Sequence, residues 1–598
     1  MSADAIAAAM ARLQAGDAAG AERALAPALL VAGPQSAQPL MVLARIRQAQ
    51  GRVAEAEQAL RKAIAAAPKE PNVRQQLGNL LLVAGNPEAA LREYQEAVRL
   101  APGFDVARRN VARALVAARR FNEGEVAARE ELAKERRADM LAVLATALDG
   151  QRRFEEALKA FDESLALAPL ATTQHNRAMT LARMDRNAEA AAIYAELVQA
   201  GMASPDLFLN WSWAHMSAGD LDTGERLLIE GLRRFPFDRR LHSQLAEFRW
   251  SKRLEGETFT RDLEAALAAM PENTELRTLC AEFLTRAERR ADAERLLREG
   301  ATRAPQNTGM HAQLAGLLDL DGRLDEAEAV LRAALANNPG GGDLLYSLTH
   351  VLMRANRPHE ARAALTQARA MQQDQLTLAY EATIARMMGD PEYERLYDYN
   401  RFVAAIDFSA PEGYASMDAF NAALGASLEA LHLSKRHPID RSLRGGTQTD
   451  RSLLESRDPV IVTFFKMIRE GVRARLRALP RDPSHPFLSR NTGDITFADA
   501  WSVWLRPGGH HINHVHPEGW LSSAYYVRVP PLGGQANPHA GWIKFGEPQI
   551  AIPGCGPAHW VEPKPGRLAI FPSYMWHGTE PFHEGKERMT VAFDMAPA

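Results

Sequence analysis

Cysteine is nearly absent: 598 residues carry only Cys280 and Cys555, far apart in the chain. That excludes a disulfide-stapled scaffold and fits a reducing compartment. Long apolar runs are missing too, since no stretch approaches ~18 uninterrupted apolar residues. The opening "MSADAIAAAMARLQAGDAAGAERAL" lacks a charged segment followed by an apolar one. Neither a signal peptide nor a membrane span is expected, and the expected location is cytoplasmic. Neither sign of charge dominates, with 71 Lys plus Arg against 74 Asp plus Glu and a formal charge of −3. Nothing global therefore calls for nucleic acid or an anionic membrane as a partner. No G-x-x-x-x-G-K-S/T loop, no Rossmann glycine run after a strand and no C-x-x-C pair is present, which removes the commonest nucleotide and dithiol chemistries. Cys555 has His559 nearby in "PGCGPAHW", yet nothing orients the two as nucleophile and base. The preference for Arg over Lys and the abundance of Ala read as compositional bias.

What is present begins with a ruler of prolines. Pro68, Pro102, Pro169, Pro236, Pro271, Pro305 and Pro339 are separated by 34, 67, 67, 35, 34 and 34 residues. One period of about 34, or twice that, marks a helical repeat array. In "PNVRQQLGNLLLVAGNPEAALREYQEAVRLAP", Leu77, Gly78 and Leu81 share one face of a first helix, and Ala90, Tyr94 and Ala97 one face of a second. Gly78 and Ala90 are small where the helices must approach, and "AGNP" is the turn between them. The same phase places Ala44 with Ala56, Ala157 with Phe161, and Ala315 with Ala327. Residues 5 to 390 thus resemble the tetratricopeptide family, with a degenerate unit around 103 to 136 whose small positions look poorly kept. Stacked units of this kind form a solenoid with a concave groove. The resemblance implies a protein or peptide partner there. The bland alternative is an array that only spaces or assembles the chain, and the oligomeric state is not readable.

After residue 390 the phase stops. "SMDAFNAALGASLEALHL" and "DPVIVTFFKMIREGVRARLRAL" read as amphipathic helices, the second capped by Asp458 with Pro459 in its first turn. "HPIDRSLRGGTQTDRSLLES" reads as a polar loop. From about 494, "ITFADAWSVWLRPGG", "WLSSAYYVRVP", "GWIKFGEP", "GRLAIFP" and "ERMTVAFDM" are short β-branched and aromatic runs between Gly and Pro clusters. They are the mark of an antiparallel sandwich or barrel. The expected organisation is an all-α solenoid over 1–390, a helical lead-in over 391–490, and an all-β core over 491–598.

Four of the chain's seventeen histidines fall in "HHINHVHPEGW", residues 510 to 520. In a strand, residues i and i+2 share a face, so His514 and His516 project together. His510 and His511 are assigned to an exposed turn made by Gly508 and Gly509. His577 follows "GRLAIFPSYMW", 61 residues beyond His516. Two close ligands and one remote one describe a three-ligand site of the kind used by non-heme Fe(II) oxygenases. Arg588 lies eleven residues past His577, with Thr590 on the same strand face. A buried guanidinium needs an anionic partner, and its planar fork suits a carboxylate. Of Tyr525 and Tyr526, one must face inward; Tyr525 is taken as a candidate cosubstrate contact beside a core role. Trp501, Trp504, Trp520 and Trp542 read as core, with Trp520 near enough to shape the pocket, and Lys544 reads as solvated.

"HVHPEGWLSSAYYV", "GWIKFGEP", "KPGRLAIFPSYMWHGTEPF" and "ERMTVAFD" together resemble the 2-oxoglutarate–Fe(II) oxygenases of the double-stranded β-helix fold, over about residues 400 to 598. The resemblance implies that the all-β core over 491–598 is a double-stranded β-helix (jelly roll). It also implies Fe(II), 2-oxoglutarate and O₂, with His514 and His577 as ligands and Arg588 on the distal carboxylate of 2-oxoglutarate. It departs from the family's His-x-Asp/Glu, since His516 stands where the acid belongs. Three assignments stay open: His514, His516 and His577; a shifted His516-x-Glu518 with His577; or two histidines and solvent, as in the aspartyl/asparaginyl β-hydroxylase branch. Pro517 and Gly519 suggest that the strand ends before Glu518, which favours the first. The expected function is a dioxygenase hydroxylating a protein or peptide side chain brought by the repeats. The alternatives are a non-catalytic interaction protein with a cupin-like domain, or an oxygenase of a small metabolite.

Overall fold

A computed structural model describes residues 2–30, 33–253, 258–370, 374–439, 441–531 and 537–598. They fall into two compact units, Met1–Gly224 and Glu225–Ala598. Among the described residues no helix is long and apolar enough to cross a membrane.

Paired helices fill the first unit and the second as far as Gln375–Met388. The small residues of the repeat are sterically required: a Cβ on Gly78 would lie 2.5 Å from the Tyr94 ring. The unit at 103–136 keeps this device, contrary to its sequence appearance. Ala112 is fully buried, and a Cβ on Gly124 would stand 2.7 Å from Val116. The arginine excess also has a structural use. Arg153, Arg323 and Arg357 each precede a second helix, where they pair with Glu156, Glu326 and Glu360 three residues on. Each also reaches back to the preceding repeat, to Glu125, Glu294 and Glu328 at 2.6–2.8 Å. Such half-exposed pairs are worth about 0–1 kcal/mol each and act mainly on register.

The second unit ends in two antiparallel sheets. The larger has strand order β1 (Ala404–Asp407), β7 (Arg567–Pro572), β4 (Leu521–Arg528), β9 (Arg588–Pro597), β3 (Ile495–His511), β2 (Leu443–Gln448). The smaller has β6 (His559–Val561), β5 (Ile543–Phe545), β8 (His577–Thr579). Helices Met417–Glu429 and Pro459–Ala478 cover one face of the larger sheet. Phe464 there meets Tyr525 at 4.9 Å and Phe593 at 6.3 Å. The other face looks toward the smaller sheet, with Phe571 against Phe545 at 4.9 Å.

β1 and β2 belong to the lead-in in sequence but to the sheet in space. "LRGGTQ" is thus an edge strand and not a polar loop. Composition hides it because its two glycines serve a bulge, with register shifting between Arg444 and Gly446. A Cβ on Gly446 would lie 2.4 Å from the Trp504 carbonyl oxygen.

The repeats of the second unit hold the loop that precedes β2. Trp250 Nε1 donates to the His437 carbonyl (3.0 Å), Glu247 accepts from the Ile439 amide (3.1 Å), and Arg286 donates to the Ile439 carbonyl (3.1 Å). Lys252 pairs with Asp450 at 2.6 Å. Further along, Arg386 donates to the carbonyls of Gly546 and Gly556 at 2.9 and 2.7 Å.

Gly446→Ala should lower stability by about 1–3 kcal/mol through this clash. Gly316→Ala, mid-helix with open space around it, should raise it by about 0.5–1 kcal/mol. Denaturant unfolding of the full chain checks both signs.

Candidate metal centre

β3 runs straight into the histidine cluster. His514 leaves it and pairs with His577 as an isolated antiparallel bridge, each amide donating to the other's carbonyl at 2.8 and 3.1 Å. Two residues on, the His516 amide donates to the Ser573 carbonyl at 3.0 Å. The segment is therefore extended although it belongs to no regular strand, and His514 and His516 share a side. Nitrogens of His514, His516 and His577 lie within 4.8 Å of one another. The ring centres of His514 and His577 are 4.2 Å apart.

The tautomers follow from the other ring nitrogen. Nδ1 of His514 faces the Ile512 carbonyl and Nδ1 of His577 the Met575 carbonyl, both at 2.9 Å. A carbonyl only accepts, so each Nδ1 carries the proton. Nδ1 of His516 meets the Asp594 carboxylate at 2.6 Å. With Nδ1 so engaged, Nε2 of each ring is the nitrogen available to the shared space, where that of His514 also lies 3.4 Å from Ser442 Oγ; second-sphere partners impose this arrangement on ligating histidines. Burial, then the neighbouring His516, pushes the His514 pKa down to about 3. His577 is held well below its ordinary value by burial and then by His514. Both are neutral and ready to ligate at physiological pH.

Asp594 is the residue that sequence reasoning missed. It also accepts from Ser522 Oγ at 2.7 Å. The acid absent two residues after His514 has in effect moved behind His516. Its signal was its parity on β9, where 588, 590, 592 and 594 share a face. Glu518, the alternative ligand, is exposed in the turn after His516 and lies outside the cluster.

Arg588 and Thr590 are buried on the same face, 2% and 3% exposed. Arg588 donates to the Gly541 carbonyl at 2.6 Å and lies over the Tyr526 ring at 5.4 Å. Its Nε and the Tyr526 hydroxyl are both buried without a partner. No carboxylate pairs with Arg588 among the described residues. An uncompensated buried guanidinium costs several kcal/mol, so these atoms fit a carboxylate-bearing small molecule placed beside the imidazoles. Leu443, Val503, Leu505, Ala540 and Phe582 form an apolar cluster with Trp501 at its edge.

Four sequence expectations change. Tyr525 does not face the site: its hydroxyl donates to Asn421 at 2.8 Å on the helix-covered face. It pairs with Val591, whereas Tyr526 pairs with Thr590, so strand parity gives the inward place to Tyr526. His510 and His511 end β3 and do not form an exposed turn. His511 is bonded to Ser442 Oγ at 3.0 Å, with its ring 6.1 Å from His514. Trp501, and not Trp520, walls the pocket: it stacks on His516 at 6.1 Å, whereas Trp520 stacks on Phe487 across the sheet. Lys544 is paired with Glu547 and Glu580 at 2.6 and 3.2 Å.

Comparison with known proteins agrees with this architecture. Residues 6–71 with 284–342, and residues 320–385, match two tetratricopeptide-repeat families. Residues 499–594 match the family described as "Putative 2OG-Fe(II) oxygenase". The chain thus carries tetratricopeptide repeats, followed by a region that matches that oxygenase family. Among solved structures, a tetratricopeptide repeat protein from Parabacteroides merdae is 17% identical, covering 38% of this chain and 90% of its own (TM-score 0.35). Yeast Tom70 is 13% identical, covering 64% and 95% (TM-score 0.32). No curated protein matches.

Asp594→Asn should weaken binding of Co(II) or Mn(II) to the full chain by about 10–100-fold. Isothermal titration under anaerobic conditions measures it.

Proposed function

We propose that the chain is an Fe(II)- and 2-oxoglutarate-dependent dioxygenase that hydroxylates a protein or peptide side chain. The observation that carries this reading is the unpaired buried guanidinium of Arg588 on the same sheet face as three converging imidazoles. His514, His516 and His577 would hold the iron, and Arg588 the distal carboxylate of 2-oxoglutarate. When bound, this pair supplies the oxidising power, splitting O₂ between a C–H bond and the cosubstrate, which leaves as succinate and CO₂.

The chain's own contribution is positioning and charge. Arg588 sets the depth at which a dicarboxylate stops, with the Tyr526 hydroxyl and Thr590 beside it. Asp594 fixes the His516 ring through Nδ1 and places a carboxylate next to a site that has no carboxylate among its three candidate ligands. Trp501 stacks on His516 and also borders the apolar cluster, so that side of the site is apolar.

For the substrate, the domain partnership favours a protein. The repeats of the first unit offer a concavity of about 290 Å³ lined by Arg45, Gln48, Gln75, Gln76 and Asn79. Side-chain amides of this kind suit the backbone of an extended peptide.

Anaerobic addition of Fe(II) and 2-oxoglutarate to the full chain should give a weak visible charge-transfer band, absent in His577→Ala. Lack of a band together with lack of iron uptake would overturn the proposal. Arg588→Met should weaken 2-oxoglutarate binding by about 30-fold or more while leaving metal affinity within about threefold. Equal loss of both would contradict the assigned role.

A further inference from the structure

His577 is reached through a tight corner. β7 ends at Pro572 in the larger sheet and β8 begins at His577 in the smaller one, so residues 573–576 cross between sheets. The carbonyl that orients the His577 ring belongs to Met575, inside this corner. Whatever fixes the two peptide groups flanking Met575 therefore fixes the imidazole.

Those two groups are gripped by a single hydroxyl from outside the barrel. Tyr397 Oη donates to the Tyr574 carbonyl at 2.8 Å and accepts from the Trp576 amide at 3.0 Å. The grip is returned, since Tyr574 Oη donates to the Leu396 carbonyl at 2.8 Å. Tyr397 is 3% exposed, and its ring lies 5.9 Å from that of Tyr574. The next residue of the corner is tied to the repeats themselves. Trp576 Nε1 donates to Thr383 Oγ1 at 3.1 Å, and its ring stacks on Tyr380 at 6.2 Å, both on helix Gln375–Met388. The Trp576 carbonyl in turn accepts from the Gly546 amide (2.9 Å), whose own carbonyl is held by Arg386. Each link is a directional hydrogen bond in a dry environment, where misplacement cannot be absorbed by water.

We propose that Tyr397, in the segment joining the last repeat helix to the sheet, is a positioning residue for the metal centre, holding His577 through the Tyr574–Trp576 corner with Thr383 as its partner. The end of the repeat array is thereby a structural wall of the metal site and not only a recruiting arm. This inference rests on the metal-binding reading of the three histidines.

The test uses the full chain and Co(II) under anaerobic conditions, read by titration and by the visible ligand-field spectrum. Tyr397→Phe keeps the ring and removes both hydrogen bonds. It should weaken Co(II) by about 10–100-fold, the usual effect of losing an outer-sphere partner, and alter the spectrum. Tyr393→Phe, in the same aromatic cluster but bonded to Tyr399, should match wild type in both. If Tyr397→Phe fails to fold by circular dichroism, Thr383→Val decides, with an expected loss of several-fold. Wild-type affinity and spectrum in a folded Tyr397→Phe, or in Thr383→Val in its place, would overturn the proposal. Absence of Co(II) binding by the wild type would instead overturn the metal-centre reading, and this proposal with it.

Discussion

Three imidazoles packed with ring centres about 4–5 Å apart in a buried space cannot all be charged. Desolvation and mutual repulsion keep His514 and His577 neutral, and neutrality leaves lone pairs. The hydrogen bonds around the site fix the three rings so that their nitrogens lie within 4.8 Å of one another. Carbonyls of Ile512 and Met575 and the carboxylate of Asp594 occupy the three Nδ1 positions. The bridge between His514 and His577 ties the two ends of the motif together through the backbone. A carboxylate ligand would have brought charge into this space. Here the charge stands one bond further out, on Asp594.

Arg588 imposes the second condition. Among the described residues its only hydrogen bond is to the Gly541 carbonyl, and a buried guanidinium so placed is tolerable if an anion completes it. On the proposed reading, the three imidazoles and the guanidinium suit a molecule with a carboxylate at one end and metal-binding oxygens at the other. The match of residues 499–594 to the oxygenase family and the geometry of these residues support the proposed chemistry independently.

Much of this was legible in the sequence. The proline period located paired helices, because a helix pair with a fixed turn repeats its stop signals. Strand parity and spacing joined His514, His516 and His577, and the family resemblance supplied the role expected of Arg588. What stayed hidden depends on pairing. Tyr525 and Tyr526 differ by one residue, and a one-residue shift of register exchanges the faces of a strand. Asp594 acquires its role only through the strand face it shares with Arg588. β2 looks like a loop because its glycines are needed where two backbones nearly touch. Tyr397 lies about 180 residues from the corner that it grips, and no local pattern announces such a contact.

The repeat array also gains a different meaning. In the second unit its helices hold the loop before β2 and the corner before His577, so part of the array is engaged by the chain itself. The most direct test of the account is a crystal of the full chain soaked anaerobically with Mn(II) and 2-oxoglutarate, with anomalous scattering locating the metal. The account predicts one peak at bonding distance from Nε2 of His514, His516 and His577, with the distal carboxylate on Arg588. A metal held by Glu518, or a 2-oxoglutarate that leaves Arg588 unpaired, would contradict it.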